Sequence, residues 1–264
     1  MKTITIFAII AVSAPVFSQH LNRIIGGESV RPNVYPSVAY IADSSTSTIC
    51  SGSLIAGGWI LTAAHCLYGG SAKDTTVTIS DSVIGNNPKL SIESYFIHKD
   101  YEPRSQKNDI AVIKLTQRAV GTHAKISSVR ITDNMRLRAF GWGARNNSEL
   151  VASTSLQTVL LETAPSSECK KNYPLFEGNG IGNQICTGKT PGNDTCLGDS
   201  GGPLMVLEDG TWKLAGITSF GAWPEGSKSS GLCGSDDVVG IYTNVNKYMA
   251  FLTTSTNATS QSFL

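Results

Sequence analysis

Three short segments carry side chains that could act together in nucleophilic chemistry. Gly198-Asp199-Ser200-Gly201-Gly202-Pro203 sets a serine hydroxyl among glycines, Ala63-Ala64-His65-Cys66 supplies an imidazole, and Asn108-Asp109-Ile110-Ala111 opens an apolar run with a carboxylate. An unassisted serine hydroxyl is a poor nucleophile and needs a base to take its proton. An imidazole can do so near neutral pH, and a carboxylate on its other nitrogen fixes one tautomer and stabilises the cation that forms. The chemistry implied is acyl transfer through a covalent intermediate. Taken singly, each segment has a plainer explanation: a hydrogen-bonded core histidine, a cap at the start of a strand, a flexible glycine loop. Only the combination points to catalysis.

Residues this far apart in the chain must be brought together by the elements between them, and most of those read as strands. Val77 and Ile79 alternate with Thr76 and Thr78, while Met135, Leu137 and Ala139 alternate with Arg136, Arg138 and Phe140. Leu90, Ile92 and Phe96 are expected to share one face. The run after Asp109 to Leu115 is nearly all apolar, as a strand covered on both faces requires. Gly57-Gly58, Gly69-Gly70, Gly85-Asn86-Asn87-Pro88 and Gly178-Asn179-Gly180 supply the turns. Helical spacing appears at Val245, Tyr248, Met249 and Leu252, with Asn244 at the N-cap position, and the Ser/Thr-rich stretch beyond is expected to fray. The pattern is that of an all-β sandwich or barrel with a C-terminal helix.

Composition narrows the context. The chain has 264 residues, 41% hydrophobic and 16% charged, enough apolar material for a full core. A formal charge of +1 gives no basic field for nucleic acid. Residues 1–18 read as a secretory signal peptide: Lys2 precedes the apolar run Ile4–Val12, Pro15 breaks it, and Val16 and Ser18 are small enough for the cleavage site. The run is too short to span a bilayer, so no membrane association is expected and the chain reads as extracellular. In that compartment the six cysteines read as disulfides. Fifteen connectivities are open to six cysteines. Nearest-neighbour pairing gives Cys50 with Cys66, Cys169 with Cys186 and Cys196 with Cys233. There is no Cys-x-x-Cys pair and the four histidines are scattered, so neither metal nor cofactor is expected.

The three segments, in this order in a secreted, disulfide-bonded chain, resemble those of trypsin-like members of the chymotrypsin-fold serine proteases. The likeness runs from Ile24 to about Leu252. It implies two packed six-stranded antiparallel Greek-key barrels. It also implies that Ser200 is the nucleophile, His65 its base and Asp109 the orienting carboxylate, with the backbone N–H groups of Gly198 and Ser200 as the oxyanion hole. Asp194 matches the acidic floor of the primary specificity pocket, which would favour Arg or Lys before the scissile bond. Ser219-Phe220-Gly221 resembles the family's substrate-binding strand with Phe in place of Trp, Gly221 and Gly240 match positions that must lack side chains, and Tyr242 matches a tyrosine near the pocket floor.

Arg23, followed by Ile24-Ile25-Gly26-Gly27, resembles the family's activation junction, which makes residues 19–23 a propeptide and 24–264 the peptidase domain. In the family the freed amine of Ile24 would pair with the carboxylate before the nucleophile, here Asp199. The resemblance implies a monomer with peptide or protein substrates and protein protease inhibitors as partners. Two features depart from the pattern: Ser51 stands where glycine is usual, and the segment 222–232, which carries Trp223, Pro224, Glu225 and Lys228, is long and is expected to narrow or extend the site, with Asp236 and Asp237 just beyond Cys233. Sequons occur at Asn146, Asn193 and Asn257, of which Asn146 is the best glycosylation candidate and Asn193, beside the pocket segment, is expected to stay unmodified. The competing readings are a catalytically dead binding protein, which would ordinarily have lost one of the three side chains, and an active enzyme of apolar preference, against which Asp194 argues.

Overall fold

The computed structural model describes residues 24–264 apart from 32–33, 36, 80–82, 86, 120, 145–146, 149–150 and 189. The expected signal peptide, the propeptide with Arg23, and Asn146 lie outside the described residues. After the short β1 (Glu28–Ser29), six strands close into a barrel in the order β2-β3-β4-β7-β6-β5: β2 (Val38–Asp43), β3 (Thr48–Ile55), β4 (Trp59–Thr62), β5 (Thr75–Ile79), β6 (Leu90–Ile97) and β7 (Ala111–Leu115). Every ladder is antiparallel. Apolar residues from all six strands, among them Ile41, Leu54, Ile60, Val77, Ile92 and Ile113, fill the interior. Closure leaves this half with no open edge.

The second half is a seven-stranded sheet in the order β1-β9-β8-β11-β12-β13-β10. It uses β8 (Arg136–Gly141), β9 (Gln157–Glu162), β10 (Gln184–Thr187), β11 (Pro203–Glu208), β12 (Thr211–Ala222) and β13 (Val239–Asn244). Just past β9 the chain returns to β10 through an antiparallel bridge of Thr163 with Thr187. Ala164 N–H donates to Cys186 O at 3.1 Å and Gly188 N–H to Glu162 O at 2.7 Å around it. Six strands thus curl into a second barrel sealed by one bridge rather than a ladder, with Leu137, Val159, Leu161, Ile185, Leu204 and Tyr242 inside. The architecture is the all-β double barrel expected, with β1 added at one edge.

Two local expectations change. Phe96 does not share the inward face of Leu90 and Ile92. A register shift between Ile92 and Ser94 reverses the alternation, and Phe96 lies 44% exposed, its ring centroid 6.0 Å from that of Trp59. The C-terminal stretch does not fray. Val245–Tyr248 form a 3₁₀ turn leading into α2 (Met249–Thr256), which follows α1 (Ser166–Asn172) in the chain. Asn244 sits at the N-cap of that turn with no side-chain cap bond. After Asn257, a left-handed C-cap, α3 (Ser260–Phe263) buries Phe263 completely in the first barrel's core, and Ile126 N–H donates to Phe263 O at 2.7 Å. One aromatic anchor outweighs the polar composition around it.

Candidate active site

Each of the three residues sits at the end of an element. His65 lies in the 3₁₀ turn Ala64–Cys66 that follows β4, and Asp109 lies just before β7, the strand paired with β4. That pairing explains their meeting across 44 residues. His65 Nδ1 lies 2.8 Å from Asp109 Oδ2, and His65 N–H donates to Asp109 Oδ1 at 2.9 Å. Asp109 is fully buried, while the imidazole remains 24% exposed. The second half also grips this residue: Ser219 Oγ donates to the carboxylate Oδ2 at 2.5 Å, and Thr243 Oγ1 donates to the backbone Asp109 O at 2.8 Å. A charged group taken out of water needs such partners.

Ser200 lies on the turn before β11, and it shares two surface cavities with His65. Its Oγ makes no hydrogen bond with the imidazole here; the two groups face one space. Ser51 braces the turn from the first barrel. Ser51 N–H donates to Ser200 O at 2.7 Å, and Ser51 Oγ donates to Gly198 O at 3.0 Å. Gly198 has φ +97°, a conformation open mainly to glycine, and an added β-carbon would come 3.0 Å from Gly143 Cα. Cys50, His65 and Cys66 place side-chain donors within 4.8 Å of one another, but both sulfurs are already joined in a disulfide.

Asp199 is wholly buried. Gly143 N–H donates to its Oδ1 at 2.7 Å and Cys196 N–H to its Oδ2 at 2.8 Å. Burial pushes its carboxyl up to about 7, against the pull of those two amides. Ile24, buried among the second barrel's core residues, begins the stretch that runs past this segment. Ile25 bridges to Asp194, whose N–H donates to Ile25 O at 3.0 Å.

Asp194 lines a cavity of about 380 Å³ together with His65, Ser200, Phe220, Gly221 and Trp223. The residue is 6% exposed. Thr195 N–H donates to Oδ1 at 2.8 Å and Gly234 N–H to Oδ2 at 3.0 Å, while burial raises its carboxyl to about 6. Gly221 stands opposite Gly240 in the β12–β13 ladder. Gly240 lies behind that wall, where an added β-carbon would come 2.6 Å from Thr187 Oγ1 and 3.0 Å from the Tyr242 ring. Tyr242, fully buried, has its hydroxyl 3.2 Å from Thr195 Oγ1. Asp236 is exposed and Asp237 bonds Ser227 and Ser235; neither lines the cavity. The disulfides are Cys50–Cys66, Cys169–Cys186 and Cys196–Cys233, the nearest-neighbour pairs. The side chain of Asn193 lies against Gly26 and Gly192, whereas Asn257 is exposed.

The sequence singles out Ser219 and the long segment that carries Trp223, but not the contacts they make. The Ser219 bond to Asp109 depends on how the barrels pack, and Trp223 lies in the irregular 222–232 segment. A third contributor, Asn147, ties a loop of the second half to the pocket's disulfide: its Nδ2 donates to Cys233 O at 3.0 Å, and its Oδ1 accepts from Cys233 N–H at 2.9 Å.

Double-barrel topology and a serine, histidine and aspartate gathered at one cleft define a class, that of the trypsin-like serine endopeptidases, which are hydrolases. The family model described as Trypsin matches residues 24–252, and the chain belongs to that family. It is similar to CLIP domain-containing serine protease B4 of Anopheles gambiae, 32% identical over 89% of this chain and 70% of the relative. It is also similar to coagulation factor XII of Cavia porcellus, 29% identical over 88% of this chain and 40% of the relative. Phenoloxidase-activating enzyme of Bombyx mori is 30% identical over 88% of this chain and 60% of the relative. Two of these three relatives extend well beyond the part this chain matches. Among the described residues no helix is long and apolar enough to cross a membrane.

Proposed function

We propose that the protein is a secreted endopeptidase that hydrolyses peptide bonds after Arg or Lys and is made as a zymogen activated by cleavage after Arg23. One observation carries the specificity: a carboxylate only 6% exposed, Asp194, lines the same cavity as Ser200 and His65, with backbone N–H groups and, among the described residues, no cation as partners. A buried, unpaired carboxylate favours a ligand that brings positive charge.

In this reading Ser200 Oγ attacks the scissile carbonyl carbon while His65 Nε2 takes the hydroxyl proton. The carbonyl electrons move to the oxygen, which the N–H groups of Gly198 and Ser200 stabilise. The C–N bond then breaks, the imidazolium gives its proton to the departing amine, and an ester to Ser200 remains. Water, deprotonated by His65, attacks that ester; the bond to Ser200 Oγ breaks, the imidazolium returns its proton to that oxygen, and the acid leaves. Asp109 holds the imidazole throughout. Beyond Thr218, whose backbone is bonded to Gly201 and Gly202, the Ser219–Gly221 part of β12 has no β11 partner among the described residues, an edge suited to pairing with a substrate's extended backbone.

Activation follows from Asp199. Cleavage after Arg23 creates an ammonium at Ile24, a cation suited to the buried carboxylate. The substrates are proteins or peptides, protein inhibitors are the expected regulators, and the protein acts as a monomer without nucleic acid or membrane. Of the sequons, Asn146 is the proposed glycosylation candidate.

The test compares arginyl, lysyl and phenylalanyl peptide amides before and after processing at residue 23. Cleavage of the first two only after processing, abolished by Ser200→Ala, is the expected result. A preference for the phenylalanyl amide overturns the specificity; full activity before processing overturns the zymogen step.

A further inference from the structure

The segment 222–232 separates Gly221 from Cys233, and the reading above gives it no part. Its aromatic residue, Trp223, nevertheless lines the cavity shared by Asp194, Ser200 and His65. The indole lies against Gly221: a β-carbon built there would come 2.9 Å from Trp223 Cη2 and 3.3 Å from Cζ3. The missing side chain at 221 therefore leaves space that the indole takes up.

The ring is also held in place. Trp223 Nε1–H donates to Ser235 Oγ at 3.1 Å, and Ser235 Oγ donates to Asp237 Oδ1 at 3.1 Å. Ser227 Oγ donates to Asp237 Oδ2 at 2.5 Å and accepts from Ser229 N–H at 3.0 Å. Asn172 Nδ2 donates to Ala222 O at 3.0 Å and to Asp237 O at 2.6 Å, tying the base of the segment to the same strip of chain. The other aromatic ring of the lining, Phe220, is already met edge-on by Tyr173, with centroids 5.3 Å apart at 80°.

A substrate side chain reaching Asp194 from Ser200 shares this cavity with the indole. Guanidinium and ammonium behave differently beside such a ring. Guanidinium is planar, weakly hydrated and stacks on indole, the best cation-binding face among side chains, whereas ammonium is a compact, strongly hydrated point charge. We propose that Trp223 is a specificity-determining residue that selects arginine over lysine immediately before the scissile bond. The proposal rests on the reading that the Asp194 cavity receives a basic side chain.

The test uses the processed protein and matched peptide amides carrying Arg, Lys or Phe at the cleaved position, with n-butylguanidinium and n-butylammonium as competitive inhibitors. The wild-type protein is expected to prefer Arg. Trp223→Ala should lower the Arg-to-Lys ratio of kcat/KM about fivefold, mainly through KM for the arginyl substrate, and should weaken butylguanidinium but not butylammonium. Trp223→Phe should keep most of the ratio. If Trp223→Ala also loses lysyl activity, Trp223→Leu, which keeps apolar bulk without a cation-binding face, decides on the same ratio. An unchanged ratio with both inhibitors unaffected overturns the role of Trp223 and leaves the basic specificity standing. Preference of the wild-type protein for Phe overturns the basic specificity itself.

Discussion

Asp109 Oδ2 faces two donors from different halves of the molecule, His65 Nδ1 at 2.8 Å and Ser219 Oγ at 2.5 Å. One carboxylate oxygen therefore couples the His65 ring to strand β12. Asp109→Asn should lower kcat about 10⁴-fold, because the amide no longer enforces the required tautomer. Ser219→Ala removes one charge-assisted hydrogen bond and should cost only about tenfold. Equal losses in the two variants would show that Asp109 cannot hold the ring without Ser219.

Ser51 offers a second test of positioning. Its hydroxyl, on the first barrel, reaches across to Gly198 O at 3.0 Å, beside the amide assigned to the oxyanion hole. Ser51→Ala should lower kcat several-fold with KM nearly unchanged, since only the developing oxyanion depends on the exact placement of Gly198. A change confined to KM contradicts this.

Binding of a cation in the Asp194 cavity should depend on pH. Burial raises Asp194 to about 6, and only its ionised form attracts a cation. Affinity for n-butylguanidinium should therefore weaken as pH falls through about 6. Asp194→Ser should remove that pH dependence and cost the arginyl substrate on the order of 10²-fold or more in kcat/KM. Titration calorimetry across pH 5–8 and steady-state kinetics check the two parts.

Asp199 makes the unprocessed chain's stability pH-dependent in an unusual direction. Its carboxyl sits near 7 when folded, against 3.8 ordinarily. Between those values the folded state keeps a proton that the unfolded state releases, so stability falls as pH rises from about 4 to about 7. Asp194 adds the same sign up to about 6. Asp43 and Glu208, held below their ordinary values by hydrogen bonds and, for Glu208, Lys213, act below this window. An Arg23→Gln protein should lose thermal stability across pH 4–7, and processing at residue 23 should flatten the slope. A slope unchanged by Asp199→Asn would assign the effect elsewhere.

Much of this was legible because short-range chemistry shows in short segments. The glycines around Ser200, the Ala-Ala-His-Cys turn and the apolar run after Asp109 each carry their own local reason. Strand parity was readable until a bulge intervened, which is why Phe96 points outward. Contacts that exist only once the barrels pack, such as Ser219 with Asp109 or Ser51 with Gly198, leave no local pattern. Phe263 shows the same limit: among Ser and Thr it looks like tail, yet it is fully buried. Phe263→Ala should cost about 3–5 kcal/mol by thermal or denaturant unfolding; a loss below about 1 kcal/mol would mean that the C-terminal turn is not anchored.

The most direct measurement concerns Ser200 itself. The processed protein is mixed with an arginine-like ester whose acyl group is released slowly, and the digest is analysed by mass spectrometry. One acyl group per chain on Ser200, formed in a burst and lost on longer incubation, is the expected result. Turnover without any adduct at Ser200, or undiminished hydrolysis by Ser200→Ala, would contradict it.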